Sequence, residues 1–191
     1  MRILFLILYS CVTAGCTKRV PEQEITRENR NGTDQPIVAD VPEAYKPFYD
    51  HSVTKNEDVA AVRARLPFDS ISLTRTPCYG TCPVYDVVLH RDGTTELNAK
   101  EHLPKLGRFT GNVRLGTYAR LCYLIESSRF KDLKPDYSAR WTDDTTCIVT
   151  VTTGNTKKAV SDYGRVGPIE LWAIQEIIDG IKDKTDWKPA P

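Results

Sequence analysis

Ile71 and Leu73 alternate with Ser72 and Thr74, a period of two that predicts a strand with one buried face. Val84 to His90 is rich in β-branched and aromatic residues and predicts a second strand, with Thr94 to Ala99 returning beside it. Asp92-Gly93 between them suits a two-residue type I′ turn. A weaker strand, from Arg108 to Val113, is interrupted by Gly111. From Leu115 the period changes to that of a helix, because Leu115, Tyr118, Leu121, Cys122 and Ile125 share one helical face. A polar loop from Ser127 to Thr145 follows. Cys147, Val149 and Val151 then alternate with threonines, Gly154-Asn155 turns the chain, and Lys157 to Asp162 returns as the second arm of a hairpin. Pro168 opens a last helix whose stripe is Leu171, Ile174, Ile178 and Ile181. The order β-β-β-(β)-α-β-β-α predicts an α+β fold. The expected architecture is a two-layer sandwich, with a mainly antiparallel sheet and two helices on one face.

Upstream of residue 51 the pattern fails. Residues 17–50 mix both charge signs, contain Pro21, Pro36, Pro42 and Pro47, and hold few large aliphatic side chains, so they read as a tether. Val59, Val62 and Leu66 allow a short helix between Val53 and Leu66, which Pro67 ends. At the extreme amino terminus, Arg2 precedes an apolar run from Ile3 to Tyr9, and Thr13, Ala14 and Gly15 stand before Cys16. This predicts a bacterial export signal, and small residues before a cysteine resemble a lipobox. Cys16 would become the lipidated first residue, although Thr13 stands where such boxes usually carry leucine. Leu8 to Cys11 is a second candidate box, and plain cleavage with secretion is the alternative. The expected divisions are a lipoprotein signal peptide at 1–15, a tether at 16–66, a domain at 67–187 and a tail at 188–191. Thr17 after the cysteine favours an outer-membrane lipoprotein facing the periplasm, bound to the membrane through a palmitate-bearing anchor.

The chain has 191 residues and a formal net charge of +1. About 175 residues would remain after signal removal, enough for one domain. Basic and acidic side chains alternate without a basic stripe, which argues against a nucleic-acid partner.

The run Arg75-Thr76-Pro77-Cys78-Tyr79-Gly80-Thr81-Cys82-Pro83-Val84-Tyr85, followed by Asp92-Gly93, a helix, a hairpin and a helix, resembles a bacterial family, domain of unknown function 6438. The resemblance covers roughly residues 71–187 and implies a small exported or lipid-anchored domain with no assigned reaction.

Cys78 and Cys82 admit three uses. In an oxidising envelope two nearby thiols close a disulfide, with Gly80 permitting the tight turn. A redox pair would need a low-pKa thiolate at a helix N-terminus, whereas Pro83 leads into a strand. A metal clip for zinc or copper would draw on His90 and His102. Cys122 and Cys147 are either inert core thiols or a second bridge. No serine or cysteine has an obvious base partner among His51, His90 and His102, so no catalytic residue is assigned and no cofactor is implied. Asp132, Asp136, Asp143 and Asp144 are interleaved with Arg129, Lys131, Lys134 and Arg140, the composition of a solvated loop. Trp141, Tyr137 and Tyr163 either pack in the core or form an exposed aromatic surface near that loop. The expected function is non-enzymatic binding of an envelope protein or a glycan. Metal binding or thiol-redox chemistry at Cys78 and Cys82 is the alternative.

Overall fold

The computed structural model describes Tyr45 and residues 59–191. The export signal, Cys16, His51 and the rest of the tether lie outside the described residues. Among the described residues the fold is α+β, with an open, mostly antiparallel eight-stranded sheet and three α-helices. In chain order these are α1 (Val59–Ala64), β1 (Ser70–Arg75), β2 (Val84–His90), β3 (Thr94–Glu101), β4 (Gly107–Asn112), α2 (Leu115–Ser127), β5 (Asp136–Ser138), β6 (Thr146–Thr153), β7 (Thr156–Tyr163), α3 (Ile169–Lys184) and β8 (Lys188–Pro189). A 3-10 turn, Phe130–Asp132, follows α2.

The sheet order is β5-β7-β6-β1-β2-β3-β4-β8, and only the β5–β7 pair is parallel. Register explains the alternation. Leu73 stands opposite Val87 on one side and Val149 on the other, and Ile71 opposite Leu89 and Val151, so one face is apolar throughout. The opposite face carries Thr74, Asp86 and Asn98 in another cross-strand row. Thr74 Oγ1 donates to Asp86 Oδ1 at 2.9 Å and Lys100 Nζ lies 2.7 Å from Asp86 Oδ2. Burial alone would raise the Asp86 carboxyl, but these donors outweigh it and hold it below its ordinary value. Tyr118, Leu121, Cys122 and Ile125 of α2 and Leu171, Ile174 and Ile178 of α3 join the strand residues in one hydrophobic cluster. Both helical stripes follow the 3.6-residue period.

Several local features differ from expectation. The connection between β2 and β3 is not a two-residue type I′ turn, because of its two expected turn residues only Gly93 takes positive φ, at +99°. Gly93 N donates to His90 O at 2.9 Å, which makes a three-residue loop closed by the glycine. Arg63 fills the space where a side chain at Gly93 would stand, and its guanidinium donates to Arg91 O and Val113 O. Strands β5 and β8 arise inside segments that read as loop and tail. Each is very short, and only pairing with β7 or β4 makes it a strand. Val62 and Leu66, inside the expected tether, are buried in the core. So is Tyr45, whose ring lies 5.4 Å from Tyr123 and whose hydroxyl bonds Glu126. The folded unit therefore begins before residue 67.

Candidate functional site

Arg75, at the end of β1, stands opposite both Tyr85 at the start of β2 and Cys147 near the start of β6. Thr146 in turn pairs with Tyr163 at the end of β7. This register puts residues 76–83, 139–145 and 164–168 at one end of the sheet. Within that end lies a largely buried charged cluster, and outside it two exposed aromatic side chains.

The buried cluster joins the sheet to α3. Arg75 Nε donates to Tyr85 Oη and to Asp179 Oδ2, both at 3.0 Å, and Arg75 Nη1 donates to Cys147 Sγ at 3.0 Å. The Tyr85 hydroxyl also donates to Asp179, and Arg75 Nη2 pairs with the same carboxylate. Lys182 Nζ lies 4.8 Å from the Tyr85 ring centroid. Burial by itself would lower the Arg75 pKa, but the hydrogen bonds and charge of Asp179 outweigh it and raise the value. Burial pushes the Cys147 thiol up, and the neighbouring guanidinium opposes this only in part. Arginine, tyrosine and thiol on the strands thus converge on one another and on a carboxylate of α3. These contacts link β1 and β2 to α3.

The outer layer is a set of interlocked loops. Cys78 and Cys82 form a disulfide with a Cα–Cα separation of 5.8 Å, inside the usual range. Gly80 N donates to Cys78 Sγ at 3.2 Å. Gly80 does not have positive φ, and a Cβ there would meet only Cys78 Sγ, at 3.9 Å. The turn thus closes without using the conformational freedom that Gly80 permits. Thr76 N donates to Thr146 O at 3.0 Å, Thr146 N to Thr76 Oγ1 at 2.9 Å, and Thr145 Oγ1 to Thr76 O at 2.7 Å. Tyr79 N reaches Asp143 O at 3.4 Å, and Trp141 Nε1 donates to Asp144 Oδ2 at 3.2 Å. At the tip Tyr79 is 89% exposed, and Trp141 is 54% exposed. Of the three aromatic side chains named from sequence, Trp141 is the one on the surface. Tyr137 packs against the core, and the Tyr163 hydroxyl accepts the Asp144 amide at 3.2 Å. Tyr79 joins Trp141 instead, a residue that lay inside the motif but carried no signal of its exposure.

The metal alternative required four residues to converge. His90 stands at the far end of β2 from Cys82, about 20 Å away at roughly 3.3 Å per residue, with Glu96 at 3.4 Å. His102 follows β3 near the start of β2, so the strand separates the two histidines. Among the described residues no group of three or more histidine, cysteine or acidic side chains could hold a metal ion. The second bridge is also absent, since Cys122 and Cys147 are both free and buried. Cys122 bonds the backbone of Phe68, before β1, whereas Cys147 meets Arg75 at its end. Seven residues of nearly extended chain part them by about 20 Å, well beyond bonding reach.

No curated protein matches the chain. A family model does, over residues 69–182, the span from just before β1 to the last turns of α3. That span holds Arg75, Tyr85, Cys147 and Asp179 together with both cysteines of the disulfide. The chain therefore belongs to the family described as Domain of unknown function (DUF6438).

Proposed function

We propose that this chain is a lipid-anchored cell-envelope protein, held through Cys16 in the outer membrane and facing the periplasm, whose domain binds another envelope component without catalysing a reaction. The observation that carries the binding reading is the exposed Tyr79 on a disulfide-closed loop beside Trp141. A solvent-facing aromatic held on a rigid loop loses little conformational freedom on binding, and aromatic anchors dominate binding energies. The finer packing we infer is a two-layer sandwich, with α2 and α3 over the face of Leu73 and Val87. Cross-linking the full chain in intact cells, beside Tyr79→Ala and Trp141→Ala, tests this. A component recovered with the parent and reduced about tenfold in both variants is expected. Equal recovery in all three would overturn the reading.

One observation favours a second reading. The Gly80 amide donates to Cys78 Sγ, a contact that would stabilise a thiolate if the bond were reduced. Thiol-redox or metal chemistry at Cys78 and Cys82 would follow from that state. Metal analysis after anaerobic purification separates the readings, since a closed disulfide supplies no thiolate ligand.

A further inference from the structure

We propose that the outward face of α3 is an interface between two copies of this chain, packed antiparallel about a two-fold axis near the middle of the helix, in addition to the binding reading above. The helix carries two stripes. Leu171, Ile174, Ile178 and Ile181 are buried in the core, whereas Ile169, Ala173, Ile177, Gly180 and Lys184 recur at spacings of four, four, three and four and so share the solvent-facing side. Ile169 is 68% exposed and Ile177 is 42% exposed. Gly180 has no reason within its own chain to be glycine. A Cβ there would meet nothing within 4 Å and its φ is not positive, although glycine inside a helix costs stability relative to alanine. The missing side chain leaves open space on the wall of a groove of about 740 Å³, which runs between Arg114 and Thr117 at the start of α2 and Ile177, Gly180 and Lys184 of α3.

A second copy is the occupant because the stripe complements itself. Along the helix it alternates large and small, as Ile169, Ala173, Ile177 and Gly180. A two-fold contact uses the same patch on both copies, and an axis between residues 174 and 175 runs the two helices in opposite directions. Ile169 of each copy then enters the space beside Gly180 of the other, and Ala173 faces Ile177. A parallel alignment would instead set isoleucine against isoleucine. Charge follows the same order. Exposed Glu170 lies in the first turn and exposed Lys184 in the last, so reversal brings the acid of one copy toward the base of the other while the helix dipoles oppose. Glu176, in the middle of the face, is already paired with Arg165 of its own chain at 2.6 Å. The two glutamates oppose docking on an anionic lipid surface, where a carboxylate is repelled and costly to desolvate.

Sedimentation equilibrium of the full chain in a density-matched detergent, over about 1–300 μM, tests the proposal. A monomer–dimer equilibrium is expected. Ile169→Ala removes the side chain that enters the groove and Gly180→Leu fills the space it enters, and each is expected to weaken association about tenfold or more. The two together exchange large for small and are expected to restore the parent's dissociation constant to within about threefold. Leu106→Ser, an exposed position in the β3–β4 loop, is expected to leave it unchanged. Leucine favours a helix more than glycine does, so a melting temperature of Gly180→Leu at or above the parent's shows that a lost dimer is not a lost fold. A chain that stays monomeric at the highest concentration, a dimer indifferent to both single variants, or loss in both without restoration in the double variant would each overturn the antiparallel contact. A different envelope protein, cross-linked to a monomeric chain and lost in both single variants, would overturn the second copy as the occupant of this face.

Discussion

Asp179 is the residue on which the charged half of the motif depends. Arg75 and Tyr85 both spend their polar groups on it, and it lies 104 positions downstream of Arg75. Removing one partner of a largely buried pair leaves the other charge desolvated and unmatched, at a cost of about 3–5 kcal/mol. The Arg75 and Asp179 side chains retain 13% and 18% exposure, which places the expected loss for Asp179→Ala at the lower end, about 3 kcal/mol. Urea unfolding of parent and variant measures it, and a loss below about 1 kcal/mol would show that the cluster does not tie α3 to the sheet. Arg75 and Tyr85 stood in the sequence only as the two ends of the cysteine motif, with no role of their own. Nothing in sequence spacing could name their partner, because that depends on how a helix lies over a strand.

At the scale of elements, the disulfide loop is the feature that sequence reading described best and explained least well. The bond itself followed from two thiols four residues apart in an expected oxidising setting, and it is present. Gly80 was read as permitting the tight turn, yet it does not take positive φ and a side chain there would have room. In the chain-entropy model so short a loop stabilises the fold by about 2 kcal/mol. Replacing Cys78 and Cys82 together by serine is therefore expected to lower stability by about 2 kcal/mol in thermal or urea unfolding, without loss of the fold. A loss above about 5 kcal/mol would instead make the loop essential to the sheet end. Helices α2 and α3 were legible because four or more apolar positions repeat with a helical period in each. Strands β5 and β8 were not, since three and two residues carry no period and gain their hydrogen bonds wholly from neighbours.

Across the whole molecule, the core reaches further toward the amino terminus than hydrophobic patterning indicated. Val62, Leu66 and Tyr45 are each no more than 3% exposed, and Arg63 bonds two backbone carbonyls across the β2–β3 loop. Val59, Val62 and Leu66 carried the helical spacing that α1 realises, whereas Tyr45, a single aromatic among prolines and charges, looked like part of a solvated arm because one anchor leaves no periodic signature. A chain lacking residues 1–66 forfeits these contacts and is expected to lose about 5 kcal/mol, from about 1.5–3 kcal/mol per buried large side chain. Differential scanning calorimetry checks this, and coincident melting of the full and shortened chains would show that the arm adds nothing.

By itself the sequence determined the identity of the β1–β4 and β6–β7 strands, both long helices and the family, because alternation, helical period and a compact cysteine motif are all local properties of the chain. Tertiary structure alone decided that β1 lies at the centre of the sheet, that Cys122 and Cys147 face opposite ends of that strand, and that Tyr79 stands beside the Trp141 loop. Each of these depends on strand order and register, which bring together residues tens of positions apart, and no local pattern along a chain encodes which distant segment will supply the neighbour.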